Sequence, residues 1–182
     1  MIAIGGSLGA IRAVQTILQG MPAGFSRPIA IVLHRHKDSV LLRETLQAHC
    51  KLPVIEITDK EPIEAGHVYL GPADYHVLAE SNCFSLSVDE PIRYSRPSID
   101  LFFESIARNF GTSATAVVLT GANADGALGA EAVKLHGGVL IVQDPQSAES
   151  PIMPRAAAHR AHADYVLTVE AMAGTLAQLS NS

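Results

Sequence analysis

The chain is poor in several features that mark particular classes of protein. It has no tryptophan, and aromatic residues make up only 5% of its 182 positions, so it lacks an aromatic platform for nucleic acid. Its net charge of −5, with lysine and arginine scattered along the chain, gives no general attraction to nucleic acid either. Two cysteines, Cys50 and Cys83, do not make a disulfide framework, and we expect reduced, buried thiols.

Long apolar runs are missing as well. No run approaches the ~20 residues of a membrane-spanning helix, and no secretory signal opens the chain. We therefore expect a cytoplasmic protein that does not insert into membranes. Its length and its 48% content of hydrophobic residues predict one domain over residues 1–182, with a sizeable core.

What the chain does contain is an alternation of apolar segments with segments of helical periodicity. Predicted strands are residues 2–4, 29–33, 54–57, 67–70, 114–119, 139–142 and 165–169, and predicted helices are 10–18, 39–49, 99–110, 125–136, 155–160 and 170–179. Residues 75–80 and 83–88 are predicted to form an antiparallel hairpin. Strands without polar interruption are typical of parallel sheets. We predict an α/β fold: one doubly wound domain with a mostly parallel sheet, an antiparallel hairpin and helices on both faces.

The first nine residues contain the sharpest local signal. Residues 5–9, GGSLG, match the G-x-S-x-G pattern, in which a serine sits on a tight turn between a strand and a helix. Such a turn exposes the Ser7 hydroxyl beside the free N–H groups of the helix. The pattern is short, and an alternative is a simple turn whose Ser7 caps the helix.

Two further polar residues follow other predicted strands. His34 follows the second strand, and Asp125 follows the strand that ends near Leu119. Because the carboxyl ends of parallel strands meet at one edge of a sheet, we expect Ser7, His34 and Asp125 to converge there. A serine, a histidine and an aspartate together are what acyl transfer needs, as nucleophile, base and orienting acid.

Each of these residues also has a simpler interpretation. His34 could bond only to backbone, or could bind a metal together with His36, although no third ligand is placed by spacing. Asp125 could cap the helix that follows it. The chain order Ser, His, Asp differs from that of α/β-hydrolases, and no dinucleotide fingerprint or P-loop lysine is present.

At this point the sequence resembles the catalytic domain of the chemotaxis receptor methylesterases, the CheB-type protein-glutamate methylesterase family. The resemblance runs nearly from end to end. It rests on His34 and on IGGSLGA at 4–10, EAGHVYLGPADYHV at 64–77, RPSIDLFFES at 96–105, LTGANADGALGA at 119–130, GGVLIVQDPQSA at 137–148 and MPRAAA at 153–158.

The resemblance implies a function and a set of site residues. The family hydrolyses γ-glutamyl methyl esters on the cytoplasmic helices of chemoreceptors, releases methanol, and in many members also deamidates receptor glutamines. Its Ser-His-Asp triad matches Ser7, His34 and Asp125. No cofactor and no metal are implied, and the partner expected is a methyl-accepting receptor. Arg96, Ser98 and Met153 are candidates for contact with the substrate, although Ser98 could merely cap the following helix.

The sequence also departs from the family pattern around the expected pocket. Leu8 stands where threonine is usual, and Ala122-Asn123 replace a common Met-Gly after Thr120-Gly121. We assign Leu8, Ala122 and Asn123 to the oxyanion site and pocket, since a backbone N–H survives a change of side chain. Arg35-His36 stand where Met-Pro is common, which adds polarity to the rim.

A last expectation concerns domain organisation. Typical members carry an N-terminal receiver domain, and Met1 leaves no room for one here. If the chain is complete, activity would be constitutive or controlled by a regulator in trans. Two alternatives to receptor demethylation stay open: a non-catalytic module that docks receptors or signalling proteins, and a hydrolase with altered specificity.

Overall fold

The computed structural model describes residues 1–35 and 41–180. The strands are β1 (Ile2–Gly6), β2 (Ile29–Leu33), β3 (Val54–Glu56), β4 (Val68–Leu70), β5 (His76–Ala79), β6 (Phe84–Ser87), β7 (Thr115–Val118), β8 (Val139–Gln143) and β9 (Tyr165–Leu167). The helices are α1 (Ala10–Gly20), α2 (Leu42–Gln47), α3 (Ile99–Phe110), α4 (Ala127–Leu135), α5 (Ile152–Ala161) and α6 (Val169–Leu179). The predicted doubly wound α/β fold is confirmed.

Seven strands form one parallel sheet in the order β3-β4-β2-β1-β7-β8-β9. β1 lies in the middle, with Ile2 aligned with Ile29 of β2 on one side and with Thr115 of β7 on the other. Strands β2, β3 and β4 lie on one side of β1 and β7, β8 and β9 on the other, so the strand order reverses beside β1. In a doubly wound sheet, such a reversal opens a crevice at the carboxyl ends of the strands.

Successive residues of each strand face opposite layers of helices, as the two-residue period of a strand requires. Ile2 and Ile4 of β1 pack into a core with α1, α2 and α6. Ala3 lies between them in sequence and faces a second core, built with α3, α4, α5 and the hairpin. Every residue of β1 and β2 is buried, which explains why both read as unbroken apolar runs.

The hairpin, β5 with β6, is a separate two-stranded antiparallel sheet that packs against α3. Two side chains of α3 hold it: Ser105 Oγ accepts a hydrogen bond from the Ala79 N–H at 2.9 Å, and Asn109 Nδ2 donates to the Ala79 carbonyl at 2.9 Å. The hairpin therefore covers the outer side of the helix whose first turn supports the candidate site.

Some predicted boundaries differ from the structure. The helix predicted over 155–160 begins earlier, because α5 starts at Ile152 and Pro154 occupies its first turn, where a missing N–H is tolerated. The second predicted helix covered 39–49, and its expected start at Ser39 lies outside the described residues. Cys50 and Cys83 are free thiols that are only partly buried. No helix in residues 1–35 and 41–180 is long and apolar enough to cross a membrane.

Candidate active site

Ser7 lies on the turn between β1 and α1. Its N–H donates to the Thr120 carbonyl at 2.9 Å, and its own carbonyl accepts from the Ala10 N–H at 3.0 Å. Gly9 is the N-cap residue of α1 with a φ of 80°, and no side chain caps that helix. The alternative in which Ser7 serves as a helix cap is therefore wrong. The side chain of Ser7 instead lines an open cleft.

The cleft has a volume of about 860 Å³ and runs over the carboxyl end of the sheet. Ser7 and His34 both line it, and Leu8, with 53% of its surface exposed, forms part of its rim. Among the described residues, the other lining side chains are Ile11, Arg12, Gln15, Arg35 and Glu149. The site is thus accessible to a side chain presented by another macromolecule.

His34 follows β2 and points its ring toward Asp125. Its backbone N–H donates to the Gly6 carbonyl at 3.1 Å, which ties it to the strand that leads to Ser7. Its Nε2 lies 2.7 Å from Asp125 Oδ2, in an ion-pair geometry. The simpler interpretation, in which the ring bonds only to backbone, does not describe this histidine.

Asp125 is the most heavily hydrogen-bonded carboxylate of the site. Besides His34, it accepts hydrogen bonds from the backbone N–H groups of Ile99 (2.8 Å), Asp100 (2.9 Å) and Gly126 (3.0 Å) and from Ser98 Oγ (3.3 Å). The carboxylate therefore sits at the N-terminus of α3, where free N–H groups and the helix dipole favour negative charge. The bond to the Gly126 N–H, beside the first residue of α4, is the contact that corresponds to capping the following helix. It is one of five hydrogen bonds that Asp125 makes.

The hydrogen bonds decide the charge state of this carboxylate. Burial alone would raise the pKa of Asp125, but the hydrogen bonds from His34, Ile99 and Asp100 outweigh burial and hold that pKa below its ordinary value. Asp125 is consequently an anion at neutral pH. The neighbouring Asp100 responds in the opposite direction, since burial and the nearby Asp125 charge raise its pKa.

A carboxylate bound to Nε2 has a chemical consequence for the imidazole. The neutral ring carries its proton on Nε2, where it donates to Asp125, so Nδ1 keeps its lone pair. In the structure Nδ1 lies 3.4 Å from Asn123 Nδ2. An imidazole in this state can accept a proton at Nδ1, and the resulting cation would be stabilised by Asp125.

The remaining predicted pocket residues lie on the turn after β7. Ala122 is exposed, and Asn123 is partly buried with its Oδ1 accepting the Asp125 N–H at 3.1 Å. Asn123 thus contacts both His34 and the backbone of Asp125. These two contacts of the Asn123 side chain could not be predicted from the residue type alone.

The three candidate substrate contacts have different positions. Arg96 borders a second cavity beside His34, and its guanidinium donates to the carbonyls of Val88 (2.9 Å) and Asp89 (3.2 Å). Ser98 and Met153 are completely buried, with 0% exposure each. In this conformation neither can touch a substrate, so the expectation of contact is replaced by a supporting role for both.

These supporting roles are visible in the packing. Ser98 is the N-cap of α3, where its Oγ accepts from the Leu101 N–H at 3.3 Å as well as bonding Asp125. Met153 packs directly on Gly121, where an added Cβ would lie 2.6 Å from Met153 Cε. Met153 therefore fixes the turn that follows β7, and with it the position of Asn123.

Sequence reasoning missed two contributors to the site. His76 is completely buried, accepts the Ser98 N–H on Nδ1 at 3.1 Å and contacts the Glu90 carbonyl through Nε2 at 3.2 Å. Glu149, from the loop after β8, lies against Gly9 in the cleft. The motif that contains His76 carried part of the family resemblance, which was the available signal; nothing in the sequence placed Glu149.

A metal centre receives no support from the described part of the chain. No group of three histidine, cysteine, aspartate or glutamate side chains is arranged there to hold an ion. His36, the partner of His34 in the metal interpretation, lies outside the described residues.

Comparison with known proteins identifies relatives along the whole chain. The sequence model of the family described as "CheB methylesterase" matches residues 2–176. A protein of Leptospira interrogans, provisionally named a protein-glutamate methylesterase/protein-glutamine glutaminase, is 41% identical over all of this chain and 95% of its own length. A Pseudomonas putida protein-glutamate methylesterase/protein-glutamine glutaminase of group 3 operon is 37% identical, and the alignment covers 98% of this chain and 53% of the relative.

Solved structures agree with the sequence relatives. The crystal structure of the Thermotoga maritima CheB methylesterase catalytic domain superimposes with a TM-score of 0.92 at 31% sequence identity. The match covers 98% of this chain and 97% of that domain, so the similarity includes both helical layers and the edge of the sheet that carries the cleft.

Proposed function

Because this chain belongs to the CheB methylesterase family, we propose that it hydrolyses glutamyl methyl esters on the cytoplasmic helices of chemoreceptors. Deamidation of receptor glutamines is part of the same proposal, since the relatives are named for both activities. Both reactions are acyl transfers to water at a γ-carbonyl, so one site serves both. The expected setting is the cytoplasm, where those receptor helices lie.

The observation that carries the proposal is the pairing of His34 with Asp125 beside Ser7. Nε2 of His34 and Oδ2 of Asp125 are 2.7 Å apart, and His34 lines the same cleft as Ser7. The carboxylate is held as an anion by the first turn of α3. These features support a nucleophile, a base and an orienting acid at one edge of the sheet.

In the proposed reaction, Ser7 Oγ attacks the γ-carbonyl carbon while its proton passes to His34 Nδ1. The tetrahedral intermediate collapses as the C–O bond to the methoxy group breaks, and the imidazolium returns its proton so that methanol leaves. Water then attacks the acyl-serine, with His34 again taking and returning a proton. The products are the glutamate carboxylate and free Ser7, and Asp125 stays ionised throughout.

We assign the developing oxyanion to backbone N–H groups of Leu8 and Ala122. Leu8 follows the nucleophile directly and lines the cleft, and Ala122 lies on the exposed turn after β7. Preorganised N–H donors of this kind are worth about 3 kcal/mol each in the transition state. Because the donors are backbone groups, the replacement of the usual side chains at these positions leaves the chemistry available.

The experiment uses methylated receptor cytoplasmic fragments and follows the loss of 14 Da per ester by mass spectrometry. We expect wild-type protein to remove the methyl groups and Ser7→Ala to lose at least about 10⁴-fold of the rate. Ser81→Ala, at the exposed hairpin turn, is the matched control and should retain full activity. Demethylation by Ser7→Ala at the wild-type rate would refute the proposal.

A further inference from the structure

The side chain of Asn123 is oriented by a contact that only its oxygen can make. Asn123 Oδ1 accepts the Asp125 backbone N–H at 3.1 Å. With the oxygen fixed there, the Nδ2 group faces His34, at 3.4 Å from Nδ1. An amide nitrogen is a hydrogen-bond donor and has no lone pair to offer, so it can only approach an unprotonated imidazole nitrogen favourably.

The other side of the ring agrees with this orientation. His34 Nε2 faces Asp125 Oδ2 at 2.7 Å, so the neutral ring keeps its proton on Nε2 and its lone pair on Nδ1. Asn123 therefore donates to the same lone pair that the mechanism requires as base. Protonation of Nδ1 would set an imidazolium N–H against the amide NH₂, two donors facing each other without an acceptor.

We propose that Asn123 is a positioning residue that donates to the Nδ1 lone pair of His34 in the resting site and so holds the neutral imidazole in its Nε2–H tautomer. Asn123 and Asp125 then act on His34 in opposite directions. The carboxylate accepts a hydrogen bond from the ring N–H, whereas the amide donates one to the ring lone pair. The catalytic meaning of this arrangement rests on the proposed hydrolase function, but the protonation of His34 can be measured without any substrate.

Several other charged side chains lie near His34. Among the described residues, Arg35 pairs with Glu56 at 2.7 Å, and Arg12 and Glu149 line the same open cleft. Arg96 borders the second cavity, and Asp100 lies beside Asp125. None of these side chains has a hydrogen bond to the His34 ring among those the structure describes, whereas Asn123 and Asp125 contact its two nitrogens directly.

The test is an NMR titration of His34 in protein labelled at histidine, with His34→Gln used to identify its signal among the eight histidines. Replacing Asn123 with alanine admits water, which can accept a proton from Nδ1–H. We expect Asn123→Ala to raise the midpoint of the His34 titration by at least about 0.5 pH unit. Asn123→Asp, which has the same shape and supplies an acceptor and a negative charge, should raise it by more than about one unit.

Asn82→Ala, at the exposed turn of the hairpin, is the matched control and should leave the His34 midpoint unchanged. In active enzyme, the acid limb of kcat/KM should move upward with the NMR midpoint in each variant. An unchanged midpoint in Asn123→Ala would overturn the inference. So would a fall of kcat by 10²-fold or more at an unchanged midpoint, which would identify Asn123 as an oxyanion donor instead.

The two proposals fail independently in these measurements. If the protein removes no methyl esters but the midpoint shifts as expected, the account of Asn123 stands and the proposed reaction falls. If esters are removed and the midpoint does not move, only the account of Asn123 is rejected. Asn123→Ser, which retains a small polar side chain, replaces alanine if the alanine variant fails to fold.

Discussion

Replacement of Asp125 by asparagine tests the electrostatic design of the site, because it removes one charge and changes few atoms. In the wild-type protein, Oδ2 accepts from His34 Nε2 and Ile99 N–H, while Oδ1 accepts from Asp100 N–H, Gly126 N–H and Ser98 Oγ. An amide offers only one oxygen. If that oxygen takes the Oδ1 position with its three donors, the new NH₂ group faces the Ile99 N–H and His34.

The magnitude follows from these contacts. A buried Ile99 N–H left without an acceptor costs about 1–3 kcal/mol. Loss of negative charge at the N-terminus of α3 removes about 1 kcal/mol more, since the charge there is largely buried. Relief of the repulsion with Asp100 offsets part of this sum. We expect Asp125→Asn to lower the free energy of unfolding by about 2 kcal/mol at pH 7.

The assay is urea unfolding of Asp125→Asn against wild type, with Asp74→Asn as the matched control. Asp74 is 57% exposed and its carboxylate meets Arg96 only at 3.5 Å, so its replacement should change stability by less than about 0.5 kcal/mol. The same Asp125 variant should lose about 10⁴-fold in activity, because His34 would then carry its proton on Nδ1. Equal stability of the Asp125 variant and wild type would refute the reasoning.

The stability that the Asp125 carboxylate contributes should decrease as the pH falls. The folded-state pKa of Asp125 lies below its ordinary unfolded value of about 4. A depressed pKa contributes stability that is present above the unfolded value and is lost as the pH falls through the folded value. The stability difference between wild type and Asp125→Asn should therefore be full at pH 7 and should shrink below about pH 4.

Two further substitutions test the turns that support the site. Gly9→Ala places a methyl group 2.6 Å from Glu149 Oε2 at a φ of +80°, so it should lower the free energy of unfolding by about 1–2 kcal/mol. The control Gly24→Ala, which has open space around it, should leave stability unchanged or raise it. Equal effects of the two substitutions would contradict the strain argument. Met153→Ala removes a fully buried side chain from the Gly121 turn and should lower the free energy of unfolding by about 2–5 kcal/mol. The control Ile152→Ala, at a position with 51% exposure, should lower it far less. Urea unfolding of the two variants measures both losses, and losses of similar size would contradict the prediction.

Much of the fold follows from periodicity and chain order. The buried strands β1 and β2 read as unbroken apolar runs because both of their faces are covered. The prediction that Ser7, His34 and Asp125 lie at one edge of the sheet rests on a related argument, since each follows a strand and parallel strands end at the same edge. The structure brings His34 into contact with Asp125 and places Ser7 in the same cleft.

Features of the site that depend on three-dimensional packing could not be predicted from the order of the strands. The use of Nε2 rather than Nδ1 by Asp125 is one such feature, since the order of the strands does not determine the rotamer of His34. The donors from Ile99 and Asp100 are backbone groups, so their side-chain identities carry no signal. Met153 was expected to contact the substrate, yet α5 begins three residues earlier than predicted, and Met153 lies in its first turn with its side chain in the core.

The proposed hydrolysis depends on Ser7 acting as a nucleophile that His34 activates. The most direct measurement is covalent labelling with a serine-directed fluorophosphonate, with the modified residue located by mass spectrometry. We predict one adduct on Ser7, formed fast in wild type and reduced to background in both Ser7→Ala and His34→Gln. Labelling that persists in His34→Gln at the wild-type rate, or that falls on another serine, would contradict it.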